Sequence, residues 1–217
     1  MTRIFSGNIR KTLILLVSLA ILPALMIIFH AGIEHRDHII EEAQRDVLFL
    51  AESMALVQKG YFNATHQMLA ALARTREVRS LDGEAASALF RSMLEKNAAY
   101  INIVAVDKSG NVFASALPFV KPTSLADRPH FQQAMADKQF TVGEYIVTRV
   151  GQFRPSLPFA YPVLDDNGNV SAVLSTAMHL EHLAQSFDVT RLPKDSFIAV
   201  TDGKGIRVFL HPARSET

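Results

Sequence analysis

The chain has 217 residues, 49% hydrophobic and 20% charged, with 10 Gly and 9 Pro, proportions that exclude a disordered or collagen-like chain and fit one or two folded domains. With 22 basic residues against 21 acidic ones the formal net charge is +1, too weak a field to hold nucleic acid. Cysteine is absent, which removes disulfides, thiolate catalysis, Cys-ligated zinc and iron–sulfur clusters.

From Thr12 to Phe29 the chain reads TLILLVSLAILPALMIIF, 18 residues without a charge. At about 1.5 Å per residue a helix of this length approaches the ~30 Å thickness of a hydrocarbon core. The AGIEHRDH that follows carries no A-x-A cleavage pattern, so an uncleaved anchor is expected, with a cleaved signal peptide as the alternative. Arg3, Arg10 and Lys11 precede the run, whereas Glu34, Asp37, Glu41 and Glu42 follow it with Arg36 and Arg45. The positive-inside rule then predicts a cytoplasmic N-terminus at 1–11 and a transmembrane helix in the lipid bilayer at 12–29. Everything after residue 30 is placed outside, in the periplasm if the membrane is a cell inner membrane.

A long helix is expected over 30–80. Ile40, Ala43, Val47, Leu50, Met54, Val57, Tyr61, Ala64, Met68 and Ala71 recur at spacings of three and four, a seam that suits either a second copy of the chain, giving a homodimer, or a sheet. Gly60 interrupts it. A second amphipathic helix is predicted from about Glu84 to Asn97, on Ala88, Leu89, Met93 and Leu94.

The period then changes to alternation. INIVAVD (101–107) and NVFASA (111–116) flank a turn in which Asp107 and Gly110 suit a tight reversal. The same device recurs with Asp165 and Gly168 between FAYPV and VSAVLSTA, and with Asp202 and Gly205 between FIAV and IRVFL. A short helix at about Pro129–Asp137 and a strand at 140–149 lie between the first two hairpins, and a further helix starts near Leu180. The order predicts an α+β fold: an N-terminal transmembrane helix, a long helix, then a five-stranded antiparallel sheet with flanking helices gathered on one side.

The runs DRPHFQQAMADKQFTVGEYIVTR and FAYPVLDDNGNVSAVLSTAMHLEHL, with INIVAVDKSGNVFAS and ILPALMIIFHAGIEHRDHIIEEA before them, resemble the double-Cache sensor domains, extracytoplasmic folds related to PAS. The resemblance covers roughly residues 12–211. It implies a PAS-like lobe at 81–190 that detects a small molecule for a histidine kinase, a diguanylate cyclase or a chemoreceptor. The second lobe is represented only by SFIAVTDGKGIRVFLHP, the start of a truncated unit at 191–217, and the output module is expected elsewhere than in these residues. Signalling by this chain alone is therefore not expected.

Arg128 is the first candidate ligand residue. It precedes Pro129, which disfavours a helical backbone at 128 and favours a helix starting at 129, so its guanidinium would stand at a helix N-terminus beside free N–H groups. The resemblance agrees, since an Arg at this place in the motif commonly holds a ligand carboxylate; a bridge to Asp127 or Asp137 is the alternative. His130 and Phe131 fall where the amino-acid-binding members that this chain resembles carry Trp and another aromatic residue, and Phe131 also reads as core. Those members hold the ligand amine with Tyr and Asp on later strands; here VGEY and LSTA stand instead, so a carboxylate without an amine is expected, with Glu144 either a substitute anchor or a solvent-facing strand residue. Tyr145 and Arg149 lie four apart on the expected strand and share a face, which looks either into the pocket or into solvent. Tyr161 reads as pocket wall or core.

No cofactor or metal is expected. His30, His35 and His38, and the pair His179 and His182, lack the ligand spacing of a zinc motif. No GxSxG, GxxxxGK, GxGxxG or HExxH occurs, so no enzyme activity is expected of this chain. The expectation is an extracytoplasmic sensing module for a small carboxylate, the N-terminal part of a sensor histidine kinase; the competing reading is a membrane-anchored protein-interaction module with a closed pocket.

Overall fold

A computed structural model describes residues 8–185 and 197–211. The chain divides into two compact units, Met1–Phe49 and Leu50–Thr217. The expected N-terminus at 1–11 and second-lobe start at 191–217 fall partly outside the described residues.

Helix α1 (Asn8–Leu72) carries the apolar run, with Pro23 inside it. Leu13, Leu15 and Leu19 are each more than 60% exposed. No helix among the described residues is long and apolar enough to cross a membrane, which corrects the transmembrane helix expected at 12–29.

In the second unit the seam meets the core from Met54 onward. Met54, Val57, Tyr61, Phe62 and Met68 pack against a core built on Leu69, Leu72, Phe90, Phe159 and Leu174. Past Gly60 the buried face rotates: Thr65 and Leu69 are fully buried while Ala64 and Ala71 are exposed, because a straight α-helix drifts relative to a strict heptad. A short helix α2 (Arg76–Arg79) and α3 (Gly83–Glu95) follow. Asp82 caps α3, its carboxylate accepting from the Ala85 N–H at 3.1 Å, a contact worth about 1 kcal/mol.

The sheet comprises β1 (Tyr100–Asp107), β2 (Val112–Ser115), β3 (Thr141–Val142), β4 (Ile146–Val147), β5 (Pro155–Leu164) and β6 (Val170–His179), in the order β2-β1-β6-β5-β3 with β4 also on β5. The sheet therefore has six strands, not five. The strand expected at 140–149 is two pieces facing one partner. Strand β5 carries Pro155, Pro158 and Pro162, which cannot donate to a ladder. Between the pieces the chain is drawn away: Tyr145 N–H donates to Asp202 at 3.2 Å and Glu144 pairs with Lys204.

Alternation along the strands divides the core in two. Ile103, Ala105, Phe159, Val163, Ala172, Leu174 and Met178 face α1, α2 and α3, whereas Val104, Val106, Ala160 and Val173 face Phe131 and Ala134 of α4 (Pro129–Asp137). Helices thus cover both faces of the sheet, where one face was expected. Full burial of each large side chain such as Phe90 or Phe159 contributes about 1.5–3 kcal/mol.

All three expected turns form in one way. Asp107, Asp165 and Asp202 each accept two backbone N–H groups through one carboxylate oxygen at 2.8–3.0 Å, and Gly110, Gly168 and Gly205 take the positive φ of 76–89° that glycine adopts without steric cost. Helix α5 (Leu180–Gln185) follows β6, and β7 (Ile198–Thr201) with β8 (Arg207–His211) makes a separate two-stranded sheet.

Candidate functional site

A small cavity of about 40 Å³ lies on the α4 face of the sheet, lined by Asn102 and Val104 of β1, Arg128 and His130 at the start of α4, Ile146 of β4 with Thr148, Arg149 and Val150 after it, and Pro158, Ser175 and Ala177 of β5 and β6. Proline dictates its rim. Arg128 has extended backbone (φ −80°, ψ 126°) and stands at the cap position with Pro129 as the first helical residue, as the Arg-Pro pair predicted.

Two arginines meet here and are used differently. Arg149 holds Asp127 with both terminal nitrogens, Nη1 to Oδ1 at 2.7 Å and Nη2 to Oδ2 at 2.8 Å, and also donates to the Ser124 carbonyl at 2.7 Å. That fork matches a carboxylate's geometry and keeps the Asp127 carboxyl down at about 2. Arg128 makes no ion pair among the described residues; its Nη2 donates to the Val147 carbonyl at 3.3 Å. Partial burial, then the neighbouring Arg149, lower its proton affinity, and Asp127 opposes them. The bridge to Asp127 is thus taken by Arg149, leaving Arg128 as a guanidinium with unused donors at the cavity.

His130 is 3% exposed. Burial first, then Arg128, lower its pKa to about 4, so the ring is neutral at pH 7 and offers one donor and one acceptor. Its nitrogens retain access to the cavity: the ring makes no hydrogen bond, yet among the described residues no fully buried side-chain nitrogen or oxygen lacks a partner. Gly143 makes this packing possible. A Cβ there would stand 2.8 Å from Pro158 Cγ and 2.9 Å from His130 Cβ.

The remaining candidates separate. Phe131 is buried in the α4-side core. Tyr145 lies in the break between β3 and β4 and does not line the cavity; the strand that would have put it on one face with Arg149 is not continuous. Tyr161 shares its parity with Phe159 and faces α1, on the opposite side of the sheet from Arg128. Glu144 is paired with Lys204. The structure adds Asn102, Thr148 and Ser175, each less than 8% exposed. Asn102 donates to Ser115 at 3.0 Å and to the Val150 carbonyl at 3.2 Å, which fixes the cavity floor. Its signal was a polar residue inside the apolar run INIVAVD.

An antiparallel sheet clasped between a long helix and a short Arg-capped helix, with a cation-rimmed cavity under the latter, is an α+β domain of the PAS-like kind. The model of the Cache domain family matches residues 34–216, and the chain belongs to that family of sensor domains. Among solved structures it is similar to the sensor domain of the V. cholerae histidine kinase DctB, at 15% identity and TM-score 0.53 over 68% of this chain and 58% of that one. The ligand-binding domain of the Pseudomonas fluorescens chemoreceptor CtaA, in complex with L-alanine, matches at 13% and 0.53 over 62% and 58%. An extracellular ligand binding receptor from Desulfohalobium retbaense matches at 17% and 0.57 over 72% and 31%. At these identities the likeness is one of fold, and the chain matches over about 58% of the length of the first two. No curated protein matches.

Proposed function

We propose that this chain is the extracytoplasmic sensing module of a bacterial inner-membrane receptor, most simply a sensor histidine kinase, and that it binds a small carboxylate against Arg128. The observation that carries the reading is the division of labour between adjacent cations: Arg149 is occupied by Asp127, whereas Arg128 lines the cavity without a carboxylate partner. His130 supplies a neutral ring donor and Ser175 a hydroxyl nearby, whereas the Thr148 hydroxyl is already engaged, donating to the Gln152 carbonyl and accepting from the Arg154 N–H. Among the described residues no Asp or Glu lines the cavity, so a ligand amine would find no carboxylate to pair with there, which favours a carboxylate without one.

At about 40 Å³ the cavity takes about three waters, or one carboxylate group with little attached. Anything longer must lift the segment 143–154, whose short strand β4, like β3 just before the segment, pairs with β5 through only two residues. Ligand entry would then shift β5 and α4 against α1, and the exposed part of the seam would carry that shift to a second copy of the chain.

Thermal unfolding of the full chain against short monocarboxylates, dicarboxylates and α-amino acids tests the reading. A ligand at about a hundred times its dissociation constant adds about 2.7 kcal/mol, and the expected hits are carboxylates lacking an amine. A cooperative transition that no compound moves would favour the protein-interaction reading.

A further inference from the structure

The larger cavity of the domain is not the one beside Arg128. On the opposite face of the sheet, His66 and Ala70 of α1, Ala73 and Arg74 just after it, Arg79 of α2, the 138–140 segment and the end of β5 line a cleft of about 490 Å³ open to solvent on one side, within the range of about 300–1,000 Å³ typical of small-molecule sites. Its composition is divided. One wall is aromatic: His66 stacks on Phe140 with centroids 4.8 Å apart and lies 5.5 Å from Tyr161, with Phe159 behind Phe140 at 5.9 Å. The rim is cationic, with Arg74, Arg79 and Lys138 and, among the described residues, no carboxylate in the lining.

We propose that this cavity binds a second small molecule, an organic anion with a flat ring and two or more negative charges. The ring would lie against the His66–Phe140–Tyr161 wall, and the anionic groups would meet the three cations. Arg74 makes no ion pair among the described residues. Arg79 pairs outward with Asp166, which is almost fully exposed and so exchanges partners at little cost. Lys138 supplies an independent indication. It caps α4 in the left-handed conformation (φ 53°), where glycine is the usual residue and any other is strained. Lys138 lines the cavity, and its ammonium donates to the Gly168 carbonyl at 2.8 Å, a single neutral partner that an anion can replace. A molecule seated here would tie the end of α1 to the sheet, so it would act on the long helix from the side opposite Arg128.

The test is calorimetric titration of the full chain with trimellitate, a benzene ring bearing three carboxylates, and with benzoate and inorganic phosphate as the ring alone and the charge alone. Trimellitate should bind at a single site at least about tenfold more tightly than either, and Arg74→Ala or Lys138→Gly should each weaken it about tenfold or more. Lys138→Gly relieves the left-handed strain, so its melting midpoint should equal or exceed the parent's, which separates loss of binding from loss of fold. Arg128→Ala should leave trimellitate binding unchanged, making this outcome independent of the proposed carboxylate site. Absence of saturable binding, or binding that survives both cavity variants, or binding abolished by Arg128→Ala, would overturn the proposal.

Discussion

Arg149 grips Asp127 through two parallel hydrogen bonds of 2.7 and 2.8 Å, and in doing so withholds from Arg128 the carboxylate next to it in the chain. Two adjacent cations with one shared acid would otherwise neutralise in either order. The bidentate geometry and the third bond to Ser124 decide it, since a planar fork satisfied at three acceptors loses more by switching than a guanidinium holding one carbonyl at 3.3 Å gains.

Asp127→Asn should therefore cost little in neutral buffer, less than about 1 kcal/mol for so exposed a pair. Its mark is at low pH. The folded-state carboxyl, at about 2, is depressed from 3.8, so its stabilisation is fully present above about pH 4 and is lost as pH falls toward 2. Urea midpoints measured from pH 2 to 7 should show this acid step in the parent and lose it in Asp127→Asn.

His130 produces a second step at higher pH. Its folded pKa of about 4 lies below the ordinary histidine value of 6.5, so the unfolded chain binds the proton first. Stability is highest above about pH 6.5 and falls as pH drops to 4, by an order-of-magnitude figure of about 3 kcal/mol for this buried ring. His130→Gln should flatten that window in the same urea series. With a carboxylate bound, the His130 pKa should rise, and calorimetry in buffers of different ionisation heat should show proton uptake on binding near pH 5.

Gly143→Ala tests the packing that seats His130. The new methyl would meet Pro158 and His130 at under 3.0 Å, and relief by displacing α4 or β5 should cost about 1–3 kcal/mol. Carboxylate binding should weaken by more than the change in midpoint alone explains, measured as the ratio of dissociation constants in variant and parent.

The proposed homodimer can be addressed through the absence of cysteine, which makes a single introduced thiol the sole reactive one. Ile40 and Val47, both on the seam, are 42% and 51% exposed. Val47→Cys should form an intermolecular disulfide whose yield changes on carboxylate addition. Gel shift under oxidation measures it, and a Cys at exposed Leu56, off the seam, should cross-link less.

Local chemistry made much of the fold legible. The Arg-Pro pair marked the start of α4 at Pro129, and the three Asp-x-x-Gly turns marked their hairpins, because both signals act within four residues of chain. What was not legible depends on distant partners. The break at Tyr145 arises from Asp202 and Lys204, some sixty residues on, and its only local sign was the run of prolines in the facing strand β5. Tyr161 was separable from Arg128 by parity, since Phe159 two residues before it is core on the α1 face, but parity alone does not say which face holds the cavity. The pairing of Asp127 with Arg149 crosses 22 residues; sequence showed both groups and not their preference for each other.

The most direct test is calorimetric titration of the full chain and of Arg128→Ala with whichever carboxylate raises the melting midpoint most. Loss of one charge-assisted hydrogen-bond partner predicts affinity lower by about 1.5–3 kcal/mol, roughly tenfold to a hundredfold, with the ligand-free midpoint nearly unmoved because the Arg128 side chain makes one long hydrogen bond among the described residues. Equal affinity in parent and variant would contradict the account and place the carboxylate away from Arg128.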